Sequence, residues 1–273
     1  MSTSRAWQLE TAAAERYDAV LVPSILGPAA QALVRWTSPA VGDTVLDLGC
    51  GTGAAARHAA AAAGPSGRVV AVDVQPAMLE VGARGSDAGA PIDWMQAPAD
   101  RLPLPDGSVD LVLCAQVLQF LSDREAALAE VRRVLRPGGR LALSLWAPLP
   151  QSPYFDALVH SIGAHIGQEV AGGLAAAFAL VDADAVRPLL HHNGFVAVET
   201  ASPTLELRLP GAARFVSTHV AATPMAAGFA AAPASARTAV VADVAERMQA
   251  FARDGDWVVP FTVLCVRGAR PTR

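Results

Sequence analysis

The stretch from Thr44 to Gly53, Thr-Val-Leu-Asp-Leu-Gly-Cys-Gly-Thr-Gly, most constrains what this chain can fold into. Val45, Leu46 and Leu48 form a short apolar run interrupted by Asp47, and glycines follow at 49, 51 and 53. An apolar run bounded by glycines reads as a buried strand of a parallel sheet. The glycines permit a turn in which the backbone approaches a ligand closely. Residues 54–63 have helical character, so the turn joins a strand to a helix whose N-terminal amides point at the ligand. This is a nucleotide-type binding turn, and by itself it leaves open which nucleotide.

Strand and helix alternate from there. The pattern predicts strands at 68–74, ending in Asp73, at 92–96, at 109–115 and at 141–146, with helices at 54–63, 76–84 and 123–135. Residues 85–91 form a loop of small residues, and Pro105-Asp106-Gly107 is a turn. Asp123 is an N-cap, and Pro137-Gly138-Gly139 stops the helix after Arg132, Arg133 and Arg136. Upstream, a helix is expected at 4–17, carrying Trp7 and Tyr17. Pro23 and Gly27-Pro28 then punctuate the chain before a helix at 28–36. After Trp146 come three prolines in 148–153 and helices at 154–167, 169–180 and 182–192. A strand-like stretch follows at 195–209, then two Ala-rich helical stretches separated by Pro224 and Pro233, and a last strand at 257–266. Strands separated by helices specify an open, mostly parallel α/β sheet.

Composition bounds the rest. With 273 residues, 52% of them hydrophobic, the chain can bury a full core. The net charge of −4 gives no reason to expect nucleic acid, and all 21 basic residues are Arg. Three scattered cysteines make neither a disulfide framework nor a zinc site, and Cys50 and Cys114 read as packing residues. Metal-ligand spacing is absent, so no metal is expected. Residues 1–10 lack the pattern of a signal peptide, and no run reaches the roughly 18 apolar residues of a membrane span. The expectation is a cytoplasmic protein, monomer or homodimer, without membrane insertion.

Ligands of such sheets sit outside the carboxyl ends of the strands. Gly49-x-Gly51-x-x-Ala54 with Asp73 downstream satisfies a loose dinucleotide fingerprint. Asp47 tips the balance, because a carboxylate there opposes a pyrophosphate and suits a ligand bearing an ammonium and a sulfonium. Val45-Leu46-Asp47-Leu48-Gly49-Cys50-Gly51-Thr52-Gly53 resembles the first motif of class I S-adenosylmethionine-dependent methyltransferases. The resemblance continues through Val70-Ala71-Val72-Asp73, residues 102–110 (Leu-Pro-Leu-Pro-Asp-Gly-Ser-Val-Asp) and residues 133–139 (Arg-Val-Leu-Arg-Pro-Gly-Gly), in family order across residues 42–147. The nearest branch is that of ubiquinone/menaquinone-biosynthesis methyltransferases.

The resemblance implies a Rossmann-like, seven-stranded, mostly parallel sheet with helices on both faces and a helical cap over its carboxyl edge. It implies one methyltransferase domain over 1–273: N-terminal helices closing over the cofactor in 1–41, a cofactor-binding core in 42–147, cap segments and a sixth strand in 148–256, and a last strand in 257–267. S-adenosylmethionine would be the cofactor and S-adenosylhomocysteine the product. Asp47 and the turn Gly49, Cys50 and Gly51 would hold the methionine amine and carboxylate, the latter through backbone amides. Asp73 would bind the ribose, Val74 the adenine face, and Ala99 and Asp100 the adenine edge, with Pro98 standing where the family often has Asp. Ala115 and Gln116 would line the methionine side, and Tyr17 would close over the cofactor.

The acceptor is expected to be a small, partly apolar molecule methylated at O, N or C. Five of six histidines fall after Trp146. His160 and His165 diverge by about 140° on a helix, and His191 and His192 sit at a helix end. That leaves His219, beside Thr218, Thr223 and Met225, as the catalytic candidate, a general base if the acceptor must lose a proton. Three other readings stay open: a dinucleotide oxidoreductase, an S-adenosylmethionine-binding protein repurposed for non-methyl chemistry such as cyclisation, and a cofactor-sensing binding protein.

Overall fold

The structure of the chain, a computed structural model, describes residues 11–85 and 88–273. The expected helix over residues 4–10, Trp7 on it, and positions 86–87 of the expected loop lie outside the described residues.

The chain enters as one unbroken helical rod, Thr11–Thr37. It comprises α1 (Thr11–Arg16), a π-helical segment Tyr17–Leu26 and α2 (Gly27–Thr37). The expected break at Pro23 and Gly27-Pro28 does not occur. A wide turn carries the helix past Pro23, with the Gly27 amide bonded five residues back to Val22 O. A Cβ at Gly27 would lie 2.7 Å from that carbonyl, so only glycine fits. The rod also corrects the expectation of no long apolar run, because by length and composition alone it could cross a membrane. In this fold Leu21, Ile25, Ala29, Ala30, Leu33 and Val34 are buried instead.

Five parallel strands form the core: β1 (Thr44–Leu48), β2 (Arg68–Asp73), β3 (Ile92–Gln96), β4 (Val109–Ala115) and β5 (Leu135–Trp146). They are connected by α3 (Ala54–Ala63), α4 (Pro76–Ala83) and α5 (Arg124–Val134). Period-two alternation splits each strand between two cores. Val45, Val69, Ala71, Leu111 and Leu113 pack with α2 and the buried alanines of α3. Leu46, Val70, Val72 and Val112 pack with Leu128, Val131 and Val134 of α5 on the opposite face.

Beyond β5 come α6 (Pro153–His165), α7 (Gln168–Ala171), a 3-10 turn Gly172–Phe178 and α8 (Ala183–His192), which Asp182 caps by accepting from Asp184 N. The stretch at 195–209 is two strands, β6 (Val196–Ala201) and β7 (Thr204–Leu209), parted at Pro203. Three Ala-rich helices follow rather than two: α9 (Ala212–Ala221), α10 (Ala226–Ala231) and α11 (Ala234–Arg247). A two-residue strand, β8 (Ala252–Arg253), turns into β9 (Asp256–Ala269). One half of β9 pairs with β5 and β6, the other with β7 and β8, all antiparallel. Among the described residues the sheet therefore has nine strands, seven of them on the path β3-β2-β1-β4-β5-β9-β6.

Pro137-Gly138-Gly139 is not what stops α5: the helix ends at Val134, and Leu135 is already extended as the first residue of β5. The three residues form a bulge, the register moving from Val109↔Leu135 to Leu111↔Arg140. Gly138 (φ +76°) donates to Arg270 O, and the Arg270 amide donates to Gly139 O, so the tail after β9 fixes the bulge. Arg133 does more than suit the helix dipole: it pairs with Glu130 and Asp106 and donates to the carbonyls of Leu102 and Leu104. Strand order reverses between β1 and β4, and there a crevice opens at the carboxyl ends of the strands.

Candidate functional site

The glycine turn leaves β1 with positive φ at Gly49 (+68°), Gly51 (+54°) and Gly53 (+90°). Each glycine has a different neighbour. A Cβ at Gly49 would strike the Val117 side chain at 2.5 Å, and one at Gly53 would strike Trp94 at 2.3 Å. At Gly51 the nearest atoms belong to the Tyr17 ring and hydroxyl, at 3.7–3.8 Å across the cavity. Arg57, not foreseen from sequence, pins the turn by donating to Thr52 O (2.6 Å) and Gly82 O (2.7 Å).

The turn's amides are not free to hold a ligand carboxylate, which corrects the expectation. Gly49 and Cys50 N both donate to Val72 O (2.7 and 3.0 Å), because the turn prolongs the pairing of β1 with β2. Gly51 N donates to Asp73 Oδ2 (2.8 Å).

Asp73 Oδ1 in turn accepts from Gln75 N (2.8 Å). Burial raises its pKa and the amides of Gln75 and Gly51 counter that rise. The Val74 amide also favours its charge; a carboxylate has about four acceptor positions, and two hydrogen bonds of ordinary geometry leave capacity for the hydroxyls of a sugar.

Asp47 is 1% exposed, and neither oxygen makes a hydrogen bond of ordinary geometry among the described residues. Burial pushes its pKa up to about 7, countered by the nearby Ala56 amide at the start of α3 and reinforced by Asp73. Such an orphan carboxylate in the strand leading into a nucleotide turn fits a cationic ligand group. Together with the spare acceptor positions of Asp73, it makes the residues present compatible with S-adenosylmethionine.

A cavity of about 210 Å³ opens against the turn and Asp73. Tyr17, Gly49, Gly51, Asp73, Val74, Ala99, Gln116 and His219 line it. Asp47, Cys50, Asp100 and Ala115 are not among the lining residues: Asp47 is buried in β1, Cys50 is buried within the turn, Ala115 packs into the core, and Asp100 is exposed. Pro98 rather than Asp100 joins Ala97 and Ala99 on that wall. All three thiols are free and buried; desolvation raises their pKa values, to about 12 for Cys114 and Cys265. They are packing residues.

The far wall was not foreseen as a group. Leu21 and Ile25 of the rod, Trp146, Phe155, Leu174 and Phe178 enclose it. Phe155 is its hub, with ring centroids 6.0 Å from Trp146, 5.6 Å from Phe178 and 5.5 Å from His219. His219 is 2% exposed, its Nδ1 lies 2.7 Å from the Tyr154 hydroxyl, and desolvation pushes its pKa down to about 3. The ring is therefore neutral at physiological pH and a poor proton acceptor, which removes the reason for reading it as a general base. Gln116 sits at φ +61° with Nε2 buried and without a partner among the described residues, its Oε1 accepting from Gln119.

Residues 46–143 match a family model described as a methyltransferase domain. The ubiquinone/menaquinone biosynthesis C-methyltransferase UbiE of Cupriavidus taiwanensis is 34% identical over 170 residues, 58% of this chain and 69% of that protein. The UbiE of Cupriavidus pinatubonensis is 37% identical over 139 residues, 49% of this chain and 56% of that protein. The chain spans about half the length of several such relatives. Phosphoethanolamine N-methyltransferase 2 of Haemonchus contortus, solved with S-adenosyl-L-methionine, superposes with a TM-score of 0.60 at 17% identity, over 97% of this chain and 58% of that one. A Thermotoga maritima S-adenosylmethionine-dependent methyltransferase gives 0.56 at 15% identity, over 98% of this chain and 100% of that one. At these identities the structural likeness is one of fold.

Proposed function

The chain belongs to the class I S-adenosylmethionine-dependent methyltransferases similar to UbiE, and from that premise we propose that it methylates an O, N or C atom of a small, partly apolar molecule. One observation carries the reading. A single cavity joins the glycine turn and Asp73 at one end to an uncharged, largely aromatic wall at the other.

The cofactor, when bound, supplies a methyl group on a sulfonium sulfur that leaves as a neutral thioether. Asp73 would accept from the ribose hydroxyls, Val74 and Pro98-Ala99 would pack around the adenine, and Tyr17 would cover the turn. Gln116 and Val117 would border the methionine side. Asp47 acts from within β1, its charge favoured when a ligand ammonium lies near it. The far wall, built by Trp146, Phe155, Phe178 and Leu174, would exclude water and hold the acceptor in line, so catalysis rests on positioning. In domain terms the rod and the core hold the cofactor, while the segments after Trp146 select the acceptor. Its three free thiols suit the reducing cytoplasm.

Calorimetric titration with S-adenosylmethionine, S-adenosylhomocysteine and NAD tests the cofactor: the first two should bind and the third should not. Incubation with methyl-labelled S-adenosylmethionine and fractionated small-molecule extracts should then label an apolar product. Cofactor binding with no S-adenosylhomocysteine released in any fraction would point to non-methyl chemistry.

A further inference from the structure

Behind the acceptor end of the cavity lies a buried pair that the methyltransferase reading leaves without a role. Tyr154, on α6, is fully buried and does not line the cavity, whereas His219, on α9, does. The two rings stack with centroids 5.2 Å apart, and Tyr154 Oη lies 2.7 Å from His219 Nδ1. Phe155 and Phe215 flank the imidazole.

Two proton arrangements satisfy that contact. In one, the Tyr154 hydroxyl donates to Nδ1, and the single proton of a neutral ring sits on Nε2. In the other, Nδ1–H donates to the hydroxyl oxygen, and the hydroxyl proton then needs another acceptor. Among the described residues the Tyr154 hydroxyl makes no second hydrogen bond. The second arrangement would strand a buried O–H and carry its full desolvation cost, so the first is selected. Nδ1 is thereby occupied on the side away from the cavity. Nε2 has no protein partner among the described residues, and the ring that carries it lines the cavity.

We propose that Tyr154 locks His219 as a fixed Nε2–H donor, and that this donor holds a carbonyl or phenolate oxygen of the molecule to be methylated. The inference deepens the methyltransferase reading and rests on it. It reverses the role first expected of His219, which gives a hydrogen bond to the acceptor rather than taking its proton. It also narrows the acceptor class. Thr223, the other polar lining side chain from the segments after Trp146, already donates to Val220 O, and the remaining wall is Leu, Ile, Ala, Trp and Phe. A compact apolar or aromatic molecule with one acceptor oxygen fits such a site; a charged amine or a polyol would leave its groups unpaired.

The test uses the full chain saturated with S-adenosylhomocysteine. Long-range proton–nitrogen NMR of the histidine rings, with His219 assigned by its loss in His219→Phe, should show an Nε2–H ring unchanged from pH 5.5 to 8.5. Among the described residues burial is what shifts this imidazole, holding it neutral. Tyr154→Phe should free the ring to exchange tautomers. An Nδ1–H ring in the wild type, or one that titrates in this range, overturns the proposal. Calorimetry with 2-acetylnaphthalene and its carbon isostere 2-isopropenylnaphthalene supplies the second readout. The ketone should bind roughly tenfold tighter, the margin of one net hydrogen bond, and His219→Phe should abolish that margin. Equal affinity for the two probes, or binding of neither, overturns the assignment of the acceptor oxygen. Failure of S-adenosylhomocysteine itself to bind would instead contradict the cofactor reading.

Discussion

Asp47 and Asp73 stand 26 residues apart in sequence, flank the same turn, and differ in how their charges are met. Asp73 accepts hydrogen bonds of ordinary geometry from two backbone amides, and among the described residues Asp47 accepts none. Replacing Asp73 with Ala should weaken S-adenosylhomocysteine binding roughly 10–100-fold, from lost charge-assisted hydrogen bonds of about 1.5–3 kcal/mol; unchanged affinity in calorimetry would remove its ribose role. Asp47→Asn should act on the ligand-free protein in a pH-dependent way. With the folded pKa raised from 3.8 to about 7, the native carboxyl keeps a proton that the unfolded chain has released, so wild-type stability falls as pH rises through that window. The Asn variant escapes this loss. Its melting temperature relative to wild type should climb between pH 4 and pH 7 by the equivalent of a few kcal/mol, at about 1.4 kcal/mol per pKa unit. A difference independent of pH would mean that Asp47 is ionised normally.

Among elements, the N-terminal rod is where the sequence misled. Pro23, Gly27 and Pro28 are ordinary breakers, and only the five-residue hydrogen bond at Gly27 shows how the helix continues. Gly27→Ala should destabilise by roughly 1–3 kcal/mol, since the added methyl meets a backbone carbonyl that cannot retreat. It should also weaken cofactor binding, because Tyr17, Leu21, Ile25 and Leu26 all reach the cavity from that rod. Gly172→Ala, where a Cβ meets open space, is the control and should stay within about 0.5 kcal/mol in urea unfolding. By contrast β1 to β4, α3 and α5 were legible, because short apolar runs bounded by Gly, Pro and an Asp cap are local signals. The split of 195–209 into β6 and β7 was not, since it depends on β9 being long enough to pair with both. Likewise the turn's glycines and Asp73 could be read from spacing, but the commitment of their amides depends on where Val72 O lies. The acceptor wall was least legible: Trp146, Phe155 and Phe178 look like core residues until the fold brings them around His219.

At the scale of the whole molecule, two buried groups pull stability in opposite directions with pH. Burial holds the folded pKa of His219 at about 3, below its ordinary 6.5. Its contribution is present above pH 6.5 and is lost as pH falls toward 3, because the unfolded chain takes up a proton that the native one refuses. Asp47 does the reverse between pH 7 and pH 4. Their slopes cancel where the windows overlap, about pH 4–6.5, and single variants should unmask them. Relative to wild type, His219→Phe should gain stability on acidification and Asp47→Asn should lose it, as read from melting temperatures at each pH. Parallel curves for the three proteins would show that neither group is perturbed as its burial requires.

The central claim is that one cavity brings a sulfonium methyl donor against an apolar acceptor. Its most direct measurement is transfer of label from methyl-labelled S-adenosylmethionine into small molecules extracted with organic solvent, comparing wild type with Asp73→Ala. The account predicts a labelled apolar product with equimolar S-adenosylhomocysteine from the wild type, and a rate at least tenfold lower from the variant at limiting cofactor. Label appearing only in polar or macromolecular fractions, or equal rates from both proteins, would contradict it.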